Sequence, residues 1–153
     1  MMDIAVIKEK ANNIDITKIA QYCSLVEKIS TVTPMTAPVF IKDFVVAYDY
    51  ASSMLTDISR WAMATKAKLD SAESIAFLDK SRVYLEANGI KATDDSKKKY
   101  IDIDPDVVVI RDLHEQLVAL EDHLKRKLTL FKAAHDDIKK IIYHDNQNGY
   151  EGI

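Results

Sequence analysis

Apolar residues recur along this chain at alternating steps of three and four, and helix breakers are missing where that pattern runs longest. From Val39 to Ala87 the positions Ile41, Phe44, Tyr48, Ala51, Leu55, Ile58, Ala62, Thr65, Leu69, Ala72 and Ala76 form a heptad-like seam. That spacing gathers one stripe on one face of a helix, and its small Ala and Thr members admit a neighbouring helix closely. A bend is expected near Leu78, after which the apolar set moves to Val83, Tyr84 and Leu85, and Asn88-Gly89 supplies a stop. A second long pattern follows Asp104-Pro105, where Asp can cap and Pro suits the first helical position. In it Ile110, Leu117, Leu124, Phe131 and Ile138 recur every seven residues, with Leu113, Leu120, Lys127, Ala134 and Ile141 at the complementary position.

Two shorter helices complete the pattern. Asp15 can cap a helix over about Ile16 to Ser30, on which Ile16, Ile19, Ala20, Cys23, Val26 and Ile29 share a face. Thr93 can cap another through Tyr100, with Asp94 and Asp95 in its first turn. Thr31 to Pro38 interrupts as a linker or extended arm, because each residue before Pro is pushed away from helical angles. The chain contains three Gly and three Pro in 153 residues, and none falls in the 50 residues from Val39 to Asn88 or the 43 from Asp106 to Asn148. Each would cost a helix interior about 1 or 3 kcal/mol. The expected fold is all-α: two long helices with shorter N-terminal and connecting helices, coiled-coil-like packing and an oligomeric state. The expected divisions are an N-terminal helix and Pro-containing arm over 1–38, a long-helix hairpin core over 39–148, and a flexible tail over 149–153, loosening from His144 onward. Leu117, Phe131, Ile138 and the Ala-lined seam offer more apolar stripe than one intramolecular pairing covers, which predicts self-association.

Charge changes the picture only locally. The net charge of −3 excludes a uniformly basic nucleic-acid binder, but 60–100 carries 9 basic against 6 acidic residues and 125–140 carries 6 against 2. A few well-placed cations suffice to hold a phosphate backbone in a salt-sensitive way. The plainer alternative is helices with mixed solvated charge. Lys97-Lys98-Lys99 suits either phosphate or the negative end of its own helix dipole. Lys125, Arg126 and Lys127 form another basic cluster, in which Lys127 interrupts the seam and reads first as a device fixing register or oligomer state. No long apolar span or basic leader is present and Cys23 stands alone, so a cytoplasmic protein without a membrane is expected.

No catalytic constellation stands out. The sequence has no glycine-rich phosphate loop and no Cys or His pair at zinc spacing, and no carboxylate lies three residues before any of His114, His123, His135 and His144. Each His is expected at the surface or the seam edge. Asp102, Asp104 and Asp106 alternate, but the Gly and distal Glu of a calcium loop are missing and capping explains them better. Neither a metal, a cofactor nor an enzyme activity is therefore expected.

The segment Arg60-Trp61-Ala62-Met63-Ala64-Thr65-Lys66-Ala67-Lys68-Leu69-Asp70 is the best functional candidate. Lys66 and Lys68 flank the seam, where charged residues ordinarily form interhelical salt bridges. Trp61 lies one turn earlier, and an aromatic beside cations can stack a base, although one Trp packing a helix contact is the plainer reading.

The order of three motifs resembles the UvsY-type recombination mediator family of phages. These are Lys66-Ala67-Lys68-Leu69-Asp70, then Leu85-Glu86-Ala87-Asn88-Gly89-Ile90-Lys91-Ala92-Thr93, then Tyr100-Ile101-Asp102-Ile103-Asp104-Pro105-Asp106-Val107. The resemblance spans about Phe44 to Ile142. It implies a helical, ring-like homo-oligomer that binds single-stranded DNA, helps displace single-strand binding protein and loads a RecA-like recombinase in the infected host cell. It also implies that Lys66 and Lys68 carry the DNA contact; the residues around them add Arg60 and Trp61, and charge alone makes the basic clusters at Lys97–Lys99 and Lys125–Lys127 further candidates. Three departures stand out. Lys68 replaces a usual Arg and so lacks its planar fork, Ser71-Ala72 replaces expected aromatics, and the N-terminal arm is longer. The alternative function is a helical adaptor or virion assembly protein that touches no nucleic acid.

Overall fold

The computed structural model describes residues 2–148, with side chains through His144. Among these residues every regular element is helical: α1 (Ile4–Asn12), α2 (Thr17–Val26), α3 (Ala37–Ile75), α4 (Ser81–Ala87), α5 (Asp94–Ile101) and α6 (Pro105–Asn148). A 3₁₀ turn covers Ile29–Thr31, and a π-helical turn, Ala76–Lys80, joins α3 to α4. None of these helices is long and apolar enough to cross a membrane. The chain divides into two compact units, the first made of 1–13 and 58–120, the second of 14–57 and 121–153.

In the second unit, Phe44, Ala47, Ala51, Leu124, Phe131, Ala134 and Ile138 are buried together with Ile19 of α2. The Phe44 and Phe131 rings lie 6.3 Å apart, and Tyr22 meets Phe131 edge-on, also at 6.3 Å. Tyr48, expected in the seam, is 41% exposed and Ala47 takes its place. The helix repeats at 3.6 residues and the seam at 3.5, so a long stripe drifts by a position. The helix expected over Ile16 to Ser30 ends at Val26, short of the β-branched residues Ile29, Thr31, Val32 and Thr33 and of Pro34. Asp15 accepts the Thr17 amide at 2.8 Å, and the Thr17 side chain first and this amide second hold its carboxyl below the ordinary value. The expected arm also ends early, because Pro38 sits in the first turn of α3, where its missing N–H is tolerated.

In the first unit, Leu69, Ala76 and Val107 form a core with Ala72, Tyr100, Ile101 and Ile110 packed on it. Beyond Ala76 the next buried positions are Ser81 and Leu85. That step of five is what a π turn inserts into a helix that otherwise steps three and four. The irregularity expected at Leu78 therefore lies within the π turn, but Val83 and Tyr84 face outward, Val83 being 70% exposed. Chain reversal follows at Gly89 (φ 68°), where the Ile90 amide donates to the Leu85 carbonyl at 2.9 Å and the Gly89 amide to Glu86 at 3.2 Å, a Schellman ending. Thr93 then opens α5 with a reciprocal capping box to Ser96. The α1 helix has no counterpart in the sequence pattern; Asp3 accepts the Ala5 amide at its start and Ile7 is its buried anchor.

Of the long final pattern, Leu113, Leu117, Leu124, Phe131, Ala134 and Ile138 are inside, Ile110, Leu120, Lys127 and Ile141 are only partly buried, and Val107, outside the pattern as read, is buried with them. The pattern continues as helix through Asn148, past His144, since no Gly or Pro intervenes before Gly149. The tail 149–153, expected to be flexible, lies outside the described residues.

Candidate nucleic-acid interface

The segment from Arg60 to Asp70 lies on α3 within the first unit, and its alternation of buried and exposed positions sorts the candidates. Trp61, Ala62, Thr65 and Leu69 face inward; Arg60 and Lys66 face outward, and Lys68 is partly buried at the border. Trp61 is only 9% exposed, and the Lys10 ammonium of α1 stands 5.9 Å from its ring centroid. This favours the plainer reading of Trp61 as a residue that packs a helix contact, since little of it is exposed and a cation from α1 stands over its ring. Its indole Nε1 has no hydrogen-bond partner among the described residues.

Lys66 pairs with Asp70, one turn on, at 2.7 Å, and this bond raises its pKa. Lys68 forms no ion pair among the described residues. Neither lysine bridges to another helix there, so the interhelical salt bridges that such flanking positions ordinarily make are not where these charges go. Lys68 instead borders a cleft of about 620 Å³ shared with Ser71, Ile75, Lys80, Asp106 and Val109.

The other basic clusters stand on separate elements. In the first unit, Lys97 rests its ammonium 5.3 Å from the Phe77 ring, Lys98 is exposed, and Lys99 pairs with Asp95 at 3.3 Å. In the second unit, Lys125 pairs with Glu121 at 2.9 Å, Arg126 is exposed and Lys127 is partly buried. Burial, together with the charges of Lys127 and Arg126, lowers the pKa of His123 beside them.

A polar junction that the sequence did not disclose closes one end of the cleft. Asp104 is 1% exposed, yet its Oδ1 accepts the Asp106 and Val107 amides at 3.1 and 3.2 Å and its Oδ2 accepts the Tyr100 hydroxyl at 2.9 Å. Lys80, from the π turn, reaches Asp104 at 3.4 Å and also bonds Asp106. Burial pushes the Asp104 carboxyl up, but the Val107 amide, Tyr100 hydroxyl and Lys80 ammonium outweigh it and hold it below the ordinary value. Arg111 ties the same region, donating to Glu73 at 3.0 Å and Asp102 at 3.1 Å. The three alternating aspartates are thus a cap and two ion-pair partners. The Tyr100–Asp104 spacing of four was a legible signal; Lys80 meeting residues 24 and 26 positions later was not. Comparison of the chain with protein-family models, curated proteins and solved structures finds no match in any of the three.

Proposed function

We propose that this chain binds single-stranded DNA through Lys66 and Lys68, with Arg60 less than two turns earlier, and acts as a recombination mediator of the UvsY type. In this role it self-associates, displaces single-strand binding protein and loads a RecA-like recombinase, with no cofactor or chemistry of its own. The observation that carries the reading is the state of the two lysines. Among the described residues Lys66 is paired only with its own neighbour Asp70, in an exposed pair of the kind worth little and readily exchanged for a phosphate, and Lys68 has no ion partner there. Weak basic sites gain effective concentration when an assembly repeats them along one strand, so an acidic protomer can still bind tightly.

The test is binding of an unstructured oligonucleotide, single against double stranded, over a salt series. Replacing both lysines by Ala is expected to weaken single-strand affinity and reduce the salt slope by roughly 0.7 for each phosphate no longer neutralised. Light scattering on the same sample must show unchanged assembly. Unchanged affinity with intact assembly would remove Lys66 and Lys68 from the site and move attention to Lys97–Lys99 or Lys125–Lys127.

The second reading, a helical adaptor that touches no nucleic acid, is favoured by the exposed apolar residues of the first unit: Ile75, Leu78, Val83, Ile103 and Val109. A stable complex with a protein partner, together with indifference to DNA at low salt, would select it.

A further inference from the structure

The cleft beside Lys68 has a floor and two differently charged ends. Its floor is aliphatic, formed by Ala72, Ile75, Val109 and Ile110, with Ile4 of α1 at its wall. Ile75 is 47% and Val109 50% exposed, so the apolar surface is open to a visitor. No aromatic side chain lines it, which makes it a poor platform for a base and a good one for Leu, Ile or Val side chains.

The ends set the polarity. At one end Lys68 is partly buried and has no ion partner among the described residues, so its ammonium is open to a carboxylate that a ligand brings. At the other, a single ammonium, Lys80, serves two carboxylates, Asp104 and Asp106, which leaves that end with an excess negative charge, and Asp106 is well exposed. Between Lys68 and Lys80 the chain is helical, so the ends stand roughly 18 Å, about three turns, apart. A polyanion would be repelled at the Asp106 end while attracted at the Lys68 end. A helix bearing an acid and a base three turns apart is attracted at both.

We propose that this cleft is the docking groove for an amphipathic helix of a partner protein, which sets a carboxylate against Lys68, aliphatic side chains on the Ile75–Val109 floor and a cation against Asp106. The groove shares Lys68 with the proposed DNA contact, so peptide and nucleic acid would compete for that ammonium, and the floor variants, which leave Lys68 in place, separate the two. The probe is a small set of fluorescent helical peptides with Glu and Lys fixed three turns apart and the aliphatic positions between them varied among Leu, Ile and Val, titrated with the full chain. Saturable binding is expected for at least one member. Exchanging its Glu and Lys is expected to weaken binding at least tenfold, and Lys68→Ala about fivefold. Val109→Asp and, as a milder variant, Ile75→Ser should each abolish or strongly reduce it; both positions are half exposed, and circular dichroism verifies that the helices remain. The DNA affinity of Val109→Asp should be unchanged.

Equal binding of the exchanged peptide, or binding indifferent to both floor variants, would overturn the proposal, as would the absence of binding by every member of the set. Self-association abolished by Val109→Asp without peptide binding would overturn it in favour of a second copy. Oligonucleotide binding abolished in Val109→Asp would overturn it in favour of nucleic acid.

Discussion

Asp104 keeps a charge while almost wholly buried because each of its oxygens is used: two backbone amides, a tyrosine hydroxyl and an ammonium converge on it. Removing it by Asp104→Ala takes away a helix cap and leaves the Tyr100 hydroxyl without its acceptor, a loss of about 2–3 kcal/mol expected in urea unfolding. Its depressed folded pKa gives a definite pH dependence. The stabilisation is complete above the ordinary value of 3.8 and is lost as the pH falls through the lower folded value. Asp104→Asn should therefore unfold with a shallower acid limb than the parent, and an identical limb would contradict the assignment. The base side runs the other way. The bond from Lys80 to Asp106 raises the pKa of Lys80, and burial followed by the bond to Asp104 raises that of Tyr100, so what they contribute is present below their ordinary values of 10.5 and 10.0 and disappears as the pH rises. Gly89 is a different kind of residue-scale demand. A Cβ there would meet nothing within 4 Å, so Gly89→Ala should cost about 1 kcal/mol through backbone conformation alone, measurable in the same unfolding experiment.

Among elements, the long helices were legible because their signal is repeated many times. Steps of three and four over dozens of residues survive a local exception such as Ala47 taking the place of Tyr48. Short elements have no such redundancy: α1 rests on one buried residue, Ile7, and its Asp3 cap was too brief a signal to separate it from the arm. Of the candidate site, the outward setting of Lys66 could be read from Thr65 and Leu69 lying in the seam. The burial of Trp61 was the plainer reading, but its cover by Lys10 could not be foreseen, since it depends on α1 returning to a helix some fifty residues later in the chain. The π turn is the element whose meaning can be tested most directly. If its function is to insert one residue between the faces of Ala76 and Ser81, deleting Leu78 restores an ordinary step of four. Circular dichroism melts should show that deletion to be far better tolerated than deletion of Met63, an equally exposed residue in regular α3. Equal destabilisation would mean that the turn itself, through Lys80, is what the fold requires.

At the scale of the molecule, each compact unit is assembled from two separated stretches of chain. The first thirteen residues belong with 58–120, and the sole tryptophan reports on that association. A chain lacking residues 2–12 should show red-shifted Trp61 emission at neutral pH, because Lys10 and the helix that carries it no longer cover the indole. Unshifted emission would mean that the neighbours of α1 suffice to bury it.

The interleaving also separates the order in which the protein is made from the order in which it can fold. Residues 1–13 leave the ribosome before 14–57 and wait while that stretch is synthesised before the rest of their own unit follows, and 14–57 must wait in turn until 121 onward is added. Neither unit can be completed from a contiguous piece of nascent chain, and no single peptide-bond cleavage releases one from the other. A gene fragment ending at residue 120 would encode every segment of one unit with the unfinished beginning of its neighbour threaded through the middle.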